Sequence, residues 1–123
     1  MNRTPLTTIA PDLFRKRLLV EGFFEREVDE EALLAYFEHL TRGLGLRTYG
    51  EPIVHRTGGA GREVNEGFDA FVPLIESGIY IAVWSGPRFL STIVYTCGEF
   101  DEERAVDLVR DFFAMGEHQA AIF

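Results

Sequence analysis

The sequence predicts an α+β fold: a two-layer sandwich in which two helices cover one face of an antiparallel sheet. Three observations predict it. Apolar residues recur at helical spacing in two separate segments, strand-like apolar runs are grouped between those segments, and short turns join the later runs. The expected order is β-α-β-β-β-β-α-β, in one domain of residues 15–123 that follows an N-terminal arm of residues 1–14.

The first half of the domain is expected to form a strand, a helix and a second strand. Arg17–Phe24 (RLLVEGFF) is mostly apolar and predicts the first strand. Asp29 is a favourable N-cap before an acidic first turn, and Gly43 and Gly45 end the helix that it begins. Thr48–His55 is expected to be the second strand, at an edge or with a bulge because it contains a proline.

The second half begins with a glycine-rich loop, Thr57–Gly67, for which a mobile loop is favoured over an anion-binding one. An antiparallel meander of three strands is expected next: Phe68–Ile75, Ile79–Trp84 and Phe89–Tyr95. Asp101 can cap a second amphipathic helix, and Gln119–Phe123 can add a final strand. The sheet face opposite the helices would need a cover, most simply a second subunit.

The composition excludes several classes of function. A net charge of −8 opposes binding to a nucleic-acid backbone, so no nucleic-acid partner is expected. No apolar run approaches the roughly 18 residues that cross a bilayer, so no membrane partner is expected either. The one cysteine cannot form an internal disulfide, and the first residues lack the apolar core of a signal peptide. These features favour a cytoplasmic domain.

The most informative stretch is Ile75–Gly98, which contains Ser77 and the only cysteine, Cys97. Taken alone, each has an ordinary interpretation: a serine between two strands is usually a turn residue, and a lone cysteine is usually a small buried apolar residue. The predicted hairpin, however, returns the chain and can bring Cys97 beside Ser77. The serine hydroxyl could then attack the carbonyl of Glu76, and the thiol could transfer protons.

This stretch resembles the core of bacterial S-adenosylmethionine decarboxylases, in which a Glu-Ser pair precedes a strand with a tryptophan, a turn and a strand ending in Thr-Cys-Gly. The chain keeps all of these without a gap: Glu76, Ser77, Trp84, Thr96, Cys97 and Gly98. Weaker similarity extends to residues 17–22 and to residues 54–56, which include His55.

The resemblance implies a function. The chain would cleave itself between Glu76 and Ser77, and Ser77 would become a pyruvoyl cofactor, a ketone that withdraws electrons from the carbon that loses carbon dioxide. Cys97 would donate a proton to that carbon, and Trp84 would line the pocket. The protein would act on a small molecule, S-adenosylmethionine in polyamine biosynthesis, and would form a homodimer.

The chain departs from the family pattern at four places. The histidine that the family has five residues after the processing serine is Ala82, and the histidine immediately after that serine is Gly78. The Pro-Glu after the tryptophan is Ser85-Gly86, and a serine eight residues before the processing serine is Asp69. The lost groups leave open an alternative function: an uncleaved homologue that binds a ligand or regulates an active partner.

Asp69 has two interpretations. It is either a solvated aspartate near a strand end or a carboxylate that selects a basic amino acid, such as ornithine or arginine, as substrate. His55 is either structural or near the pocket. His39 and His118 lack metal-ligand spacing to another histidine or cysteine, so no metal is expected.

Overall fold

A computed structural model describes residues 1–3, 8–58 and 61–123. It contains seven strands and two helices within those residues. In chain order they are β1 (Asn2–Arg3), β2 (Lys16–Phe23), α1 (Glu30–Leu44), β3 (Ile53–Gly58), β4 (Glu66–Leu74), β5 (Ser77–Trp84), β6 (Phe89–Thr96), α2 (Glu102–Phe113) and β7 (His118–Ile122).

The predicted α+β sandwich is confirmed. The strands form one sheet in the order β1-β7-β2-β6-β5-β4-β3, and its strand pairs are antiparallel except that of β1 with β7. Both helices contribute to one hydrophobic core with a single face of the sheet. Sequence neighbours β4, β5 and β6 lie side by side, as the predicted meander joined by short turns requires, and β3 pairs with the outer edge of β4.

The second strand and the glycine-rich loop differ from the prediction. Residue Thr48 makes only an isolated bridge to Leu74, and β3 begins after Pro52, which has no backbone N–H to donate to a ladder. The strand then continues to Gly58, and a short 3-10 helix (Glu63–Asn65) leads into β4. The loop predicted for residues 57–67 is therefore too long at both ends. Residues 59 and 60 of that loop lie outside the described residues.

The N-terminal arm is held at its start. Residues 2 and 3 pair in parallel with β7, and Arg3 forms an ion pair with Glu102 on α2. Residues 4–7 of the predicted arm lie outside the described residues.

The predicted helix ends are confirmed at Asp29, Gly45 and Asp101, whereas Gly43 lies within α1 instead of ending it. Asp29 caps α1 by accepting the N–H of Ala32, and Asp101 caps α2 by accepting the N–H of Arg104. At the other end of α1, Gly45 adopts the left-handed conformation with φ of 68°, which glycine adopts without a steric penalty. The chain leaves this helix end in a fixed direction, toward the turn between β4 and β5.

One polar link crosses the core. Thr92 donates its hydroxyl hydrogen to the carbonyl of Tyr80, so the hydroxyl of Tyr36, 2.8 Å away, donates to Thr92. Both side chains are fully buried. Burial raises the pKa of the Tyr36 hydroxyl, and the hydrogen bond with Thr92 partly opposes this rise. The link fastens α1 to strands β5 and β6.

On the other face of the sheet, the described residues form no covering layer over the apolar side chains. One row of cross-strand neighbours runs through six strands, and we call it the apolar row: Ala121, Leu19, Ile93, Tyr80, Phe71 and Ile53. Phe71 and Tyr80 are each 40% exposed and Ile53 is 53% exposed. Large contiguous apolar surfaces of this kind mark interaction sites more often than free surface. We refer to this side of the sheet as the open face.

The core link predicts a stability effect. Tyr36→Phe should lower the free energy of unfolding by about 1 kcal/mol, and Thr92→Val by about 1–3 kcal/mol because it leaves the buried Tyr36 hydroxyl without an acceptor. Tyr95→Phe is the control, since Tyr95 is 40% exposed. Urea unfolding followed by circular dichroism measures all three. Equal stability of Tyr36→Phe and Tyr95→Phe would contradict the assigned link.

Candidate active site

Ser77 lies at a strained point of the backbone. Leu74 pairs with Ser77, so a two-residue turn of Ile75 and Glu76 joins β4 to β5. Ser77 has a φ of 143°, in a region that is otherwise nearly confined to glycine and that costs about 1–3 kcal/mol. Such a conformation persists only where surrounding contacts hold it.

Contacts hold Glu76 at both its carbonyl and its side chain. The Glu76 carbonyl oxygen accepts the backbone N–H of Cys97 at 2.7 Å. Its carboxylate accepts three donors of Arg47: the backbone N at 2.9 Å, Nε at 3.1 Å and Nη2 at 2.9 Å. The hydrogen bond from the Arg47 backbone is the main reason that the pKa of Glu76 is lowered, with the guanidinium adding to it. The Glu76–Ser77 peptide therefore lies between two fixed anchors.

The predicted hairpin brings Cys97 to this peptide. Ser77 pairs with Thr96, the last residue of β6, so Cys97 directly follows that strand and lies opposite Glu76. The thiol is free and exposed, and Ser77 is also exposed. Side chains alternate between the two faces of a sheet, so the position of Ser77 in β5 corresponds to the helix-covered face, like that of Ile79. Cys97 follows the buried Thr96, so its position corresponds to the opposite face. The positive φ of Ser77 interrupts this alternation at the first residue of β5.

A second group of predicted site residues lies in another row of the open face. His55 pairs with Asp69, and Asp69 pairs with Ala82. The hydroxyl of Tyr80 donates to Oδ1 of Asp69 at 3.0 Å. Burial is the main cause of the raised pKa of Tyr80, and the carboxylate of Asp69 adds to it. This group combines one carboxylate, one imidazole and one phenol on adjacent strands.

The two groups do not meet within one chain. Ala82 is five residues from Ser77 along β5, which corresponds to about 16 Å at about 3.3 Å per residue. Asp69 lies beside Ala82 and is equally distant from the turn. Trp84 lies farther still, opposite Gly67 and 5.7 Å from the Phe89 ring. Ser77, Glu76 and Cys97 thus form one cluster, and His55, Asp69 and Trp84 lie toward the other end of the sheet.

Gly78 has a structural consequence beside the serine. A Cβ atom at this position would lie 2.6 Å from ring carbons of Phe71. The Phe71 ring thus occupies the space that a larger side chain at position 78 would need. Where the family has a histidine after the processing serine, this chain has an aromatic ring packed over a glycine.

Sequence reasoning missed two charged residues. Arg47 lies just beyond α1 and binds Glu76, and nothing in the local sequence indicates this contact. Glu21 lies on β2, where its carboxylate accepts the Ser91 hydroxyl at 3.1 Å and the Gln119 amide at 2.9 Å. The sequence did contain a signal for the polar contacts of Glu21, since Glu21 is a charged residue inside the mostly apolar run RLLVEGFF. Both carboxylates of the open face, Glu21 and Asp69, therefore have hydrogen-bond donors.

Within the described residues, no group of three or more histidine, cysteine, aspartate or glutamate side chains is arranged to hold a metal ion. No helix in the same parts of the chain is long and apolar enough to span a membrane.

Comparisons with known proteins identify the family. The family model described as S-adenosylmethionine decarboxylase matches residues 21–123. The crystal structure of the adenosylmethionine decarboxylase from Aquifex aeolicus VF5 is similar to this fold, with a TM-score of 0.71 and 17% sequence identity over 90% of this chain and 89% of that chain. No curated protein sequence matches the chain significantly. The family match covers most of the chain, including both clusters of candidate site residues, and the chain therefore belongs to the S-adenosylmethionine decarboxylase family.

Proposed function

We propose that this protein is a pyruvoyl-dependent decarboxylase that forms its own cofactor by cleaving the Glu76–Ser77 bond. One observation carries the proposal: the Glu76 carbonyl accepts the Cys97 N–H at 2.7 Å, directly beside a strained Ser77. A hydrogen bond to this oxygen would stabilise the negative charge that develops there when a nucleophile adds to the carbonyl carbon.

The cleavage needs only groups of this chain and water. The Ser77 hydroxyl oxygen adds to the Glu76 carbonyl carbon, and the C–N bond breaks to leave an ester and a free amine. Loss of the Ser77 Cα proton then expels the Glu76 carboxylate from Cβ. Tautomerisation and the addition of water release ammonia and leave a ketone at residue 77. Breaking the peptide bond relieves the strained φ, which favours the forward direction.

Cys97 is suited to a second task after cleavage. The pyruvoyl group would serve as an electron sink when the substrate loses carbon dioxide. Residue 77 would then be a chain terminus, so strand alternation would no longer fix its orientation relative to Cys97. The exposed thiol lies one residue beyond the partner of Ser77 and is the proton donor in this proposal.

Asp69 supports a substrate with a distal positive charge. Its carboxylate lies on the open face with the Tyr80 hydroxyl as a donor and His55 as its cross-strand neighbour. A carboxylate held in this way favours an ammonium, a guanidinium or a sulfonium group. The proposed substrate is therefore S-adenosylmethionine or a basic amino acid such as ornithine or arginine.

A homodimer would complete the site. Because Asp69 lies about 16 Å from Ser77 in the same chain, it cannot bind a small substrate that is held at that Ser77. If two copies stack their open faces about a two-fold axis that runs across the strands, Asp69 of one copy approaches Ser77 of the other. The same stacking would bury the apolar row, and the driving force is the burial of that surface.

The same geometry clarifies the effect of Ala82. A side chain at position 82 is too far from Ser77 of its own chain to assist the cleavage there, so it would act on the other copy. Ala82 has no titratable group, and acid–base assistance contributes about 10² to 10⁴ in rate. This observation favours the second candidate function, an uncleaved homologue that binds a ligand or regulates a partner. The free thiol suits a reducing cytoplasm in either case.

Mass spectrometry of the purified protein tests self-cleavage. We expect two fragments, residues 1–76 and residues 77–123, with the second blocked at its N-terminus. Ser77→Ala should give one intact chain, because it removes the attacking oxygen. Ser91→Ala is the matched control and should be cleaved like the wild type. An intact wild-type chain would favour the uncleaved homologue.

Asp69→Asn tests the substrate class. Loss of a charge-assisted hydrogen bond of about 1.5–3 kcal/mol should lower kcat/KM for ornithine or arginine by about 10- to 100-fold, relative to S-adenosylmethionine. Release of labelled carbon dioxide measures all three substrates, and Asp12→Asn is a control on the exposed N-terminal segment. An unchanged order of preference would contradict the role of Asp69.

Substitution on the open face tests the dimer. Phe71→Arg should shift the protein to monomers, because it places a charge in the apolar row. Leu34→Arg is the control, since Leu34 lies on α1 and is also 40% exposed. Light scattering coupled to gel filtration measures the mass. A monomeric wild type, or an unchanged mass for Phe71→Arg, would contradict the proposed interface.

A further inference from the structure

Arg47 is the only residue outside the β4–β6 meander whose side chain bonds to Glu76 in the described part of the chain, and the family pattern above gives it no role. Its guanidinium places two donors on Oε2 of Glu76, and its backbone N–H is bonded to Oε1. Both carboxylate oxygens are therefore occupied by a single residue. The Glu76 side chain is 15% exposed, so few water contacts compete with these bonds.

The position of Arg47 is itself fixed by two elements. At the end of α1 the N–H of Leu46 bonds to the carbonyl of Thr41 at 2.9 Å. From the other side, Ile75 donates its N–H to the carbonyl of Arg47 at 2.9 Å, and Tyr49 donates to Pro73 at 2.8 Å. The segment after α1 thus runs along the end of β4 and exchanges bonds with the two-residue turn. A continuous series of hydrogen bonds therefore extends from the helix end to the carboxylate of Glu76.

The Arg47 contact acts on the bond that the proposed function would break. Glu76 has one anchor on its carboxylate, from Arg47, and one on its carbonyl, from Cys97. Ser77 is attached directly to this doubly held residue and has a φ of 143°. A strained conformation relaxes when a surrounding contact is removed. Loss of the Arg47 side chain would remove both bonds to Oε2 and leave only the backbone bond to Oε1, which would loosen the turn and weaken the alignment of the Glu76 carbonyl with the Cys97 N–H.

We propose that Arg47 is a positioning residue, which holds the Glu76–Ser77 peptide against the Cys97 N–H through the Glu76 carboxylate and thereby promotes self-cleavage. The inference rests on the proposed function and adds a residue to it. Arg47 does not touch the reacting atoms. Its side chain is 70% exposed, and ion pairs of such residues contribute little to global stability. An effect on cleavage can therefore be separated from unfolding.

The test measures the rate of cleavage in full-length variants. Arg47→Ala should slow the appearance of the two fragments at least tenfold, while its melting temperature stays near that of the control. Arg47→Lys should be intermediate, because lysine supplies one charged centre in place of a planar guanidinium. Arg42→Ala is the matched control: Arg42 is 80% exposed, pairs with Glu38 at 2.7 Å and does not contact Glu76.

A double-mutant cycle distinguishes positioning from a general structural effect. If Arg47 acts through the Glu76 carboxylate, Arg47→Ala should add little in a Glu76→Gln background, since the charge that it holds is already gone. Independent, additive losses would overturn the inference. So would wild-type rates in Arg47→Ala.

Amide hydrogen exchange makes the outcome independent of cleavage. In Ser77→Ala, which keeps the peptide intact, adding Arg47→Ala should speed exchange at the Cys97 amide at least tenfold, and adding Arg42→Ala should not. Unchanged exchange would overturn the positioning role of Arg47. An uncleaved wild type with faster exchange in the Arg47 variant would reject the proposed function and leave the positioning of the peptide supported.

Discussion

The hydrogen bond from the Cys97 N–H to the Glu76 carbonyl is the interaction on which the account of this protein depends. It closes the end of the β5–β6 hairpin at 2.7 Å and joins the two residues that the family resemblance singles out. The turn between β4 and β5 has only two residues, so Ser77 follows it directly as the first residue of β5, with a φ of 143°. Turn length, strand register and strain are thus linked at a single peptide.

The architecture determines where the remaining chemistry lies. Two helices cover one face of the sheet, and the open face carries both the apolar row and the polar group around Asp69. Along β5 the strand separates Asp69 and Ala82 from Ser77 by about 16 Å, so one chain holds two separate groups of candidate site residues. In the proposed homodimer, stacking of two open faces would bring the Asp69 group of each copy to the Ser77 cluster of the other, and burial of apolar surface would favour that stacking.

Much of the fold could be predicted because period and capping are local signals. Asp29 and Asp101 mark helix starts by their side chains, and Gly45 marks a helix end by its backbone conformation. In the structure each of the three caps the helix end that it was predicted to mark. The second strand was predicted to begin too early, at Thr48. Thr48 and the residues after it lie beside the end of β4 and the turn at Ile75, where they form no regular ladder. The contact of Arg47 with Glu76 was not predictable from sequence, because it depends on the direction in which the chain leaves α1.

The arrangement of the candidate site was only partly predictable. The contact of Cys97 with Glu76 follows from a hairpin, which the sequence indicates. The distance of Asp69 from Ser77 depends on the length of the intervening turn: a two-residue turn pairs Leu74 with Ser77 and hence Asp69 with Ala82. Their spacing of eight residues does not reveal this, since a longer loop would place Asp69 elsewhere.

The most direct measurement of the central claim is a ketone assay on the purified wild-type protein. A carbonyl-reactive hydrazide, followed by mass spectrometry, should add one label to the fragment that begins at residue 77 and none to the fragment that ends at Glu76. An intact chain without label, or two fragments that both remain unlabelled, would contradict the claim that the held and strained Glu76–Ser77 peptide becomes a pyruvoyl group.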